Sequence, residues 1–250
     1  NAAGLVAVYD AGASEVRITR AGHDVPIVTQ HVRPDFRPYL HPIMAPDGNG
    51  VLTQFSPDHH RHQTGLYWGF TRVNGRDYFH HPGPTHSRRI TVKVLRNHCH
   101  SQREPVQWQT DYELLDERGQ GVLIETQIWS MREQNGEYVL DLQWSGEAKT
   151  NVTIGKYDYG GLFMRMPWRD GIKAAVVNSA RQRNLSAEGQ RATWLDVGMQ
   201  VAGRDDLAHV TFFDHPQNRG FPQAWRADGQ FGVGPVPTRA GDWQLGKGET

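Results

Sequence analysis

Cysteine is nearly absent. Cys99 stands alone among 250 residues, which excludes an intrachain disulfide framework and leaves stability to a buried core, for which the length suffices. Neither charge is in excess: 27 Lys and Arg face 27 Asp and Glu. That balance argues against nucleic acid or an anionic membrane as the main partner. No stretch approaches the roughly 20 apolar residues of a membrane span. No segment carries a sustained helical apolar stripe. The start, NAAGLVAVYD, lacks an initiator Met and a signal peptide. A trimmed mature form, periplasmic or secreted, is therefore one expectation, with compartment and oligomeric state left open.

Alternation of period two dominates what is present. Ile90, Val92 and Val94 are expected on one strand face, as are Val122, Ile124, Thr126 and Ile128, and Tyr138, Leu140, Leu142 and Trp144. Turn signals separate these runs: Asn74-Gly75, Asp116-Glu117-Arg118-Gly119 and Gln134-Asn135-Gly136. With 27 glycines and 14 prolines, the pattern predicts an all-β fold, a large antiparallel β-sandwich with short helical turns only. No linker or repeat divides the chain, so a single domain over 1–250 is the expectation.

The densest chemistry lies in SPDHHRHQTGLYWG, residues 56–69. Ser56 as N-cap, Pro57 at the first helical position and Asp58 near the positive dipole end predict a short helical turn over 57–64. Such a turn places His59 and His62 on one face. Four readings stay open: a metal site built from Asp58, His59 and His62, an acid–base site, a sugar-binding surface, or a structural network. A divalent ion is accordingly the candidate cofactor. In the proline-stiffened segment RPDFRPYLHP, Arg37, Tyr39 and His41 alternate towards one side. KYDYGGLFMRM sets Tyr157, Tyr159 and Arg165 around a Gly-Gly pair, and VTFFDHPQNRGFPQAW carries Asp214, His215, Asn218 and Trp225 after a strand. His80-His81 and His98-Cys99-His100 read as strand-end or surface residues.

RPYLHPIMAPDG, DHHRHQTGLYWGFTRVNG, YGGLFMRM and FFDHPQNRGFPQAW together resemble a bacterial family labelled methane oxygenase PmoA-like. Gln63 stands where that family often has Arg. A particulate methane oxygenase subunit is an integral membrane protein, and this chain has no spanning segment. The architecture and the closing GKGET are also similar to galactose-mutarotase-like supersandwiches, which bind sugars on a concave sheet face. What the resemblance implies is a carbohydrate-related protein, with Arg37, His41, Asp58, His59, His62, Arg165, His215 and Asn218 as matching positions and Glu249 as the counterpart of a mutarotase base.

Two function classes follow. The first is an enzyme of mutarotase, epimerase, lyase or hydrolase type acting on a sugar or modified glycoside. His59, His62 and His215 are its candidate acid–base groups, and Arg37, His41, Tyr157, Arg165, Asn218 and Trp225 its substrate contacts. The second is a non-catalytic carbohydrate-binding module using some of the eight Trp and eight Tyr. A metal-dependent oxygenase ranks behind both, since it needs two His and a carboxylate converging. The expected partner is a small molecule or oligosaccharide.

Overall fold

The computed structural model describes residues 4–99 and 104–250; His100 lies outside them. The chain is all-β, with antiparallel sheets and, among the described residues, a single 3-10 turn at Asn184–Ala187. It forms two compact units. The first contains the chain up to Gly48, Pro82–Val152 and Leu245–Thr250; the second contains Asn49–His81 and Thr153–Gln244.

In the first unit β1 (Leu5–Asp10), β2 (Glu15–Arg20), β3 (Val28–His31) and β4 (Tyr39–Ile43) follow one another antiparallel. In the second, β5 (Leu66–Gly69) appears alone before the chain returns. The first unit then adds a meander of β6 (Ser87–Arg96), β7 (Val106–Leu115), β8 (Gly121–Gln134) and β9 (Glu137–Ala148). The β8–β9 turn is made by Asn135 and Gly136, both at positive φ (53° and 79°), as a two-residue hairpin requires.

The core between the two sheets of this unit is not purely apolar. Opposed residues of an antiparallel pair share a face. Trp129 faces Leu142, Gln127 faces Trp144 and Glu125 faces Gly146, and the buried side of β8 is Leu123, Glu125, Gln127, Trp129 and Met131. The expected face of β9 is the more buried one, whereas on β8 the face carrying Ile124, Thr126 and Ile128 is only half-buried. Indoles make the inversion tolerable. Trp108 Nε1 donates to Gln30 Oε1 (2.7 Å) and Trp129 Nε1 to Gln127 Oε1 (2.9 Å), so these buried amide oxygens are satisfied. On β6 a register shift between Arg89 and Thr91 breaks the alternation and leaves Ile90 49% exposed.

The second unit contains β11 (Gly161–Met164), β12 (Ala174–Asn178), β13 (Trp194–Gln200), β14 (Leu207–Phe213), β15 (Ala224–Ala227) and β16 (Val233–Val236). β10 (Val152–Ile154) and β17 (Trp243–Leu245) lie where the chain passes between units. Strands β12, β13 and β14 form an antiparallel sheet, and β5, β11, β16 and β15 pair side by side. Phe163 on β11 lies opposite Tyr67 on β5, and both are buried. The Asn74-Gly75 hairpin forms as expected, with both residues at positive φ between bridged Val73 and Arg76. It reverses the chain so that Asp77, Phe79 and His80 return beside β5, where Tyr78 N–H donates to Phe70 C=O (2.9 Å).

Candidate functional site

Residues 57–64 do not form the expected helix. Ser56 takes φ 48°, and its Oγ–H donates to the Arg61 carbonyl (2.8 Å) instead of accepting from a first-turn amide. Two successive turns follow, His60 N–H to Pro57 C=O (2.9 Å) and Gln63 N–H to His60 C=O (3.0 Å). The loop is closed at its base by the Phe55–Thr64 bridge and Ser56 N–H to Gln63 C=O (2.7 Å). Its base is tied to β11 through Gln54 N–H to Arg165 C=O and Arg165 N–H to Gly65 C=O, both 2.9 Å. The loop thus points its imidazoles by turn geometry rather than by helical spacing.

His59 packs edge-on against Trp168, with ring centroids 5.2 Å apart, and its Nδ1 lies 2.8 Å from His60 Nδ1. Burial, then the charge of Arg165, hold the pKa of both His59 and His60 below the usual imidazole value. His62 stands 4.5 Å from the His80 ring. Asp58 is 96% exposed and paired with Arg61 (3.1 Å). Among the described residues no three His, Cys, Asp or Glu side chains group to hold a metal ion. The metal set expected at Asp58, His59 and His62 is therefore not formed.

A cavity of about 80 Å³ opens beside this loop within the second unit. His60, His62, Gln63, Phe79, His80, Tyr159, Phe163, Arg226 and Asp228 line it. Asp77 organises one wall. Its Oδ1 accepts the amides of Phe79 (2.9 Å) and His80 (3.0 Å), and its Oδ2 lies 2.7 Å from His80 Nδ1. Burial opposes ionisation of Asp77, but the His80 amide and ring together with the Phe79 amide outweigh it and hold the carboxyl below the usual range. An ionised Asp77 holds a proton on His80 Nδ1, and in the neutral imidazole this leaves Nε2 facing outward as an acceptor. That Nε2 lies 3.2 Å from Tyr159 Oη. Burial, and then neighbouring Tyr157, push the Tyr159 phenol up to about 12, so it carries its proton at neutral pH and donates to His80.

Arg226 stands in the opposite wall, with Arg165 buried behind it. Arg226 stacks over the Tyr159 ring (5.1 Å) and pairs with Glu188 (3.0 Å), which also holds Arg239 (2.7 Å). Arg165, fully buried, donates from Nε to Gln63 Oε1 (2.6 Å) and from Nη1 to Gln230 C=O (2.6 Å). Gln63 is thus a fixed partner of Arg165.

The expected site residues separate into several places. His62 lines the cavity, Arg165 lies behind it, and His59 reaches it only through His60. Tyr157 stands behind Tyr159, with its ring under the Arg72 guanidinium (4.7 Å). His215 and Asn218 sit on an exposed turn. There Asn218 Nδ2 and the Gln223 side chain hydrogen-bond Asp214 Oδ1 (2.7 and 2.9 Å) and the Gln223 amide hydrogen-bonds its Oδ2 (2.7 Å). Trp225 is a core residue, wholly buried with its indole N–H on the Ala192 carbonyl (2.8 Å), and so offers no face to a ligand. Arg37 and His41 belong to the first unit, where Arg37 is buried near Glu125. Asp77, His60, Phe163, Arg226 and Asp228 were outside the expected set. The spacing of Asp77 and His80 just after an Asn-Gly turn was the available signal for one wall.

The family model spans residues 18–250. The chain belongs to a family of unknown function, DUF6807. No curated protein and no solved structure matches the chain. Membership in DUF6807 therefore assigns no chemistry, and the cavity carries the functional reading. No helix among the described residues is long and apolar enough to cross a membrane.

Proposed function

We propose that this DUF6807 chain is an enzyme that moves a proton on a sugar or modified glycoside, with Asp77, His80 and Tyr159 as its acid–base chain. The observation that carries the reading is the Asp77–His80–Tyr159 hydrogen-bonded series, 2.7 and then 3.2 Å, ending at an aromatic-walled cavity. Loss of a ligand proton to Tyr159 Oη is coupled to transfer of the phenol proton to His80 Nε2. The imidazolium so formed is stabilised by the Asp77 carboxylate. Tyr159 Oη then gives one proton to another ligand atom, or to a leaving group, while His80 Nε2 returns its proton to Tyr159; this completes an isomerisation or an elimination without net change in the enzyme.

A carbohydrate fits the lining because Phe79, Phe163 and Tyr159 offer apolar faces between donors and acceptors. The all-β sandwich is compatible with the mutarotase-like resemblance. At about 80 Å³ the cavity is small beside the roughly 300–1,000 Å³ of an ordinary ligand pocket. That space takes one hydroxylated end of a sugar rather than a chain of rings. The two proton-handling histidines expected from the loop, His59 and His62, become an outer neighbour and a wall.

His80→Asn and Tyr159→Phe, assayed on a panel of aldoses, uronic acids and keto-glycosides, test the assignment. Each should lower turnover about 10²–10⁴-fold with the fold intact by circular dichroism. Unchanged turnover on a substrate of the wild type refutes the roles given to these residues. Calorimetric binding of a sugar without any conversion points instead to a binding module.

A further inference from the structure

The charge layout of the cavity narrows the ligand beyond that reading, on which this inference rests. The guanidinium at the cavity wall and the one buried behind it are each already opposed by a carboxylate. Arg226 is held by Glu188 at 3.0 Å and stands 3.8 Å from Asp228, and the buried Arg165 also stands 3.8 Å from Asp228. An arginine cluster built for an anion leaves its positive charge uncompensated until the ligand arrives. Here the compensation is built in.

Asp228 is held to face the cavity by its own turn. Oδ1 accepts the amides of Gln230 and Gly232, both at 2.9 Å, and Gln230 C=O in turn receives Arg165 Nη1. The other oxygen, Oδ2, lies 3.8 Å from Arg165 Nη2 and 3.8 Å from Arg226 Nε, beyond hydrogen-bond reach of either. Arg165 Nη2 is buried and finds no protein acceptor among the described residues. A donor and an acceptor thus lie side by side, each ion-paired but not hydrogen-bonded to the other. Both tips pack directly against Gly232, where a Cβ would lie 2.6 Å from Arg165 Nη2 and from Asp228 Oδ2, so only glycine leaves them this placement.

A hydroxyl satisfies both groups at once, accepting from Nη2 and donating to Oδ2. A carboxylate or phosphate satisfies Nη2 but has no proton for Oδ2, and it sets two negative charges together in a partly buried site. We infer that Asp228 and Arg165 form a hydroxyl subsite that selects an uncharged sugar unit over its uronate or phosphorylated counterpart. Asp228 is the specificity-determining group, and Arg165 positions it.

The test is calorimetric titration of the full chain at pH 7.5 with D-glucose, D-galactose, D-glucuronate and D-galacturonate. The wild type should bind a neutral sugar at least about tenfold tighter than the matching uronate. Asp228→Asn keeps the Oδ1 contacts and removes the charge. It should weaken neutral-sugar binding and shrink that ratio to about threefold or less. Asp170→Asn, on an exposed turn outside the cavity lining, makes the same change in net charge and should keep the wild-type ratio. Equal or tighter uronate binding by the wild type overturns the inference while leaving the carbohydrate reading in place. So does a ratio that Asp228→Asn fails to move, or that Asp170→Asn moves equally. Absence of binding by all four sugars removes the carbohydrate reading and the subsite with it.

Discussion

Replacing Glu125 by glutamine changes stability in a way that depends on pH, and the sign follows from where the carboxyl lies. Glu125 points into the core of the first unit, 5% exposed, opposite Tyr112 on β7 and Gly146 on β9. Burial pushes its pKa from 4.5 up to about 8, against the pull of the Trp144 N–H and the Arg37 charge. Below pH 4.5 the folded and unfolded chains both hold this proton, and the group contributes no pH dependence. Between 4.5 and 8 the unfolded chain releases the proton while the folded chain keeps it, so stability falls as pH rises. At about 1.4 kcal/mol per unit, that interval of 3.5 units corresponds to a loss of about 5 kcal/mol by pH 8. Glutamine has no proton to lose, so Glu125→Gln should match the wild type near pH 4.5 and exceed it increasingly towards pH 8. Urea unfolding followed by tryptophan fluorescence at unit steps from pH 5 to 9 measures this. A difference that does not vary with pH, or that favours the wild type at high pH, refutes the reasoning. It would mean that Arg37 holds Glu125 as a buried carboxylate.

Two predictions concern the second unit. Gly232→Ala places a Cβ 2.5 Å from Phe163 Cζ and 2.6 Å from the Arg165 and Asp228 tips, which should lower stability by about 1–3 kcal/mol and abolish sugar binding; an unchanged melting temperature together with unchanged binding contradicts the packing. His59 and His60, held below their ordinary pKa by burial and Arg165, should titrate below pH 6.5 by NMR. Their contribution to stability is present above that value and lost as pH falls through the depressed midpoints; midpoints at or above 6.5 would remove the Arg165 effect.

Turns and strand content were legible because the signals are local. Asn74-Gly75 and Asn135-Gly136 specify positive φ whatever surrounds them, and the structure uses both as hairpins. The buried face of β8 was not legible, because Glu125 and Gln127 read as solvent-facing while Ile124 and Ile128 read as core. What reverses the reading is a partner distant in sequence: Gln30 on β3 donates from Nε2 to Gln127 Oε1 on β8 (3.4 Å), and no periodicity within β8 contains that contact. The helix expected over 57–64 failed for a related reason. Its cap residues were right for a helix in isolation, but the Phe55–Thr64 bridge closes the segment into a loop and takes Ser56 to positive φ. His80 looked like a strand-end residue because its value depends on Tyr159, 79 positions away.

The hydrogen-bond directions around His80 also fix the order of any proton transfer. Asp77, kept ionised by two amides and the imidazole, has no proton to give, so His80 Nδ1 donates to it and, in the neutral imidazole, Nε2 is the acceptor. Tyr159, with its phenol pushed up to about 12, keeps its proton at neutral pH and supplies it to Nε2. The imidazole lone pair is therefore capped by Tyr159 before a ligand arrives. A ligand proton must either displace that phenol or pass through it. Arg226 over the Tyr159 ring and Phe79 against its edge, with centroids 5.0 Å apart, hold the ring in place and favour passage over displacement. The phenol then becomes the group that touches the ligand, with His80 the base behind it. Asp77 sets the direction in which the proton leaves.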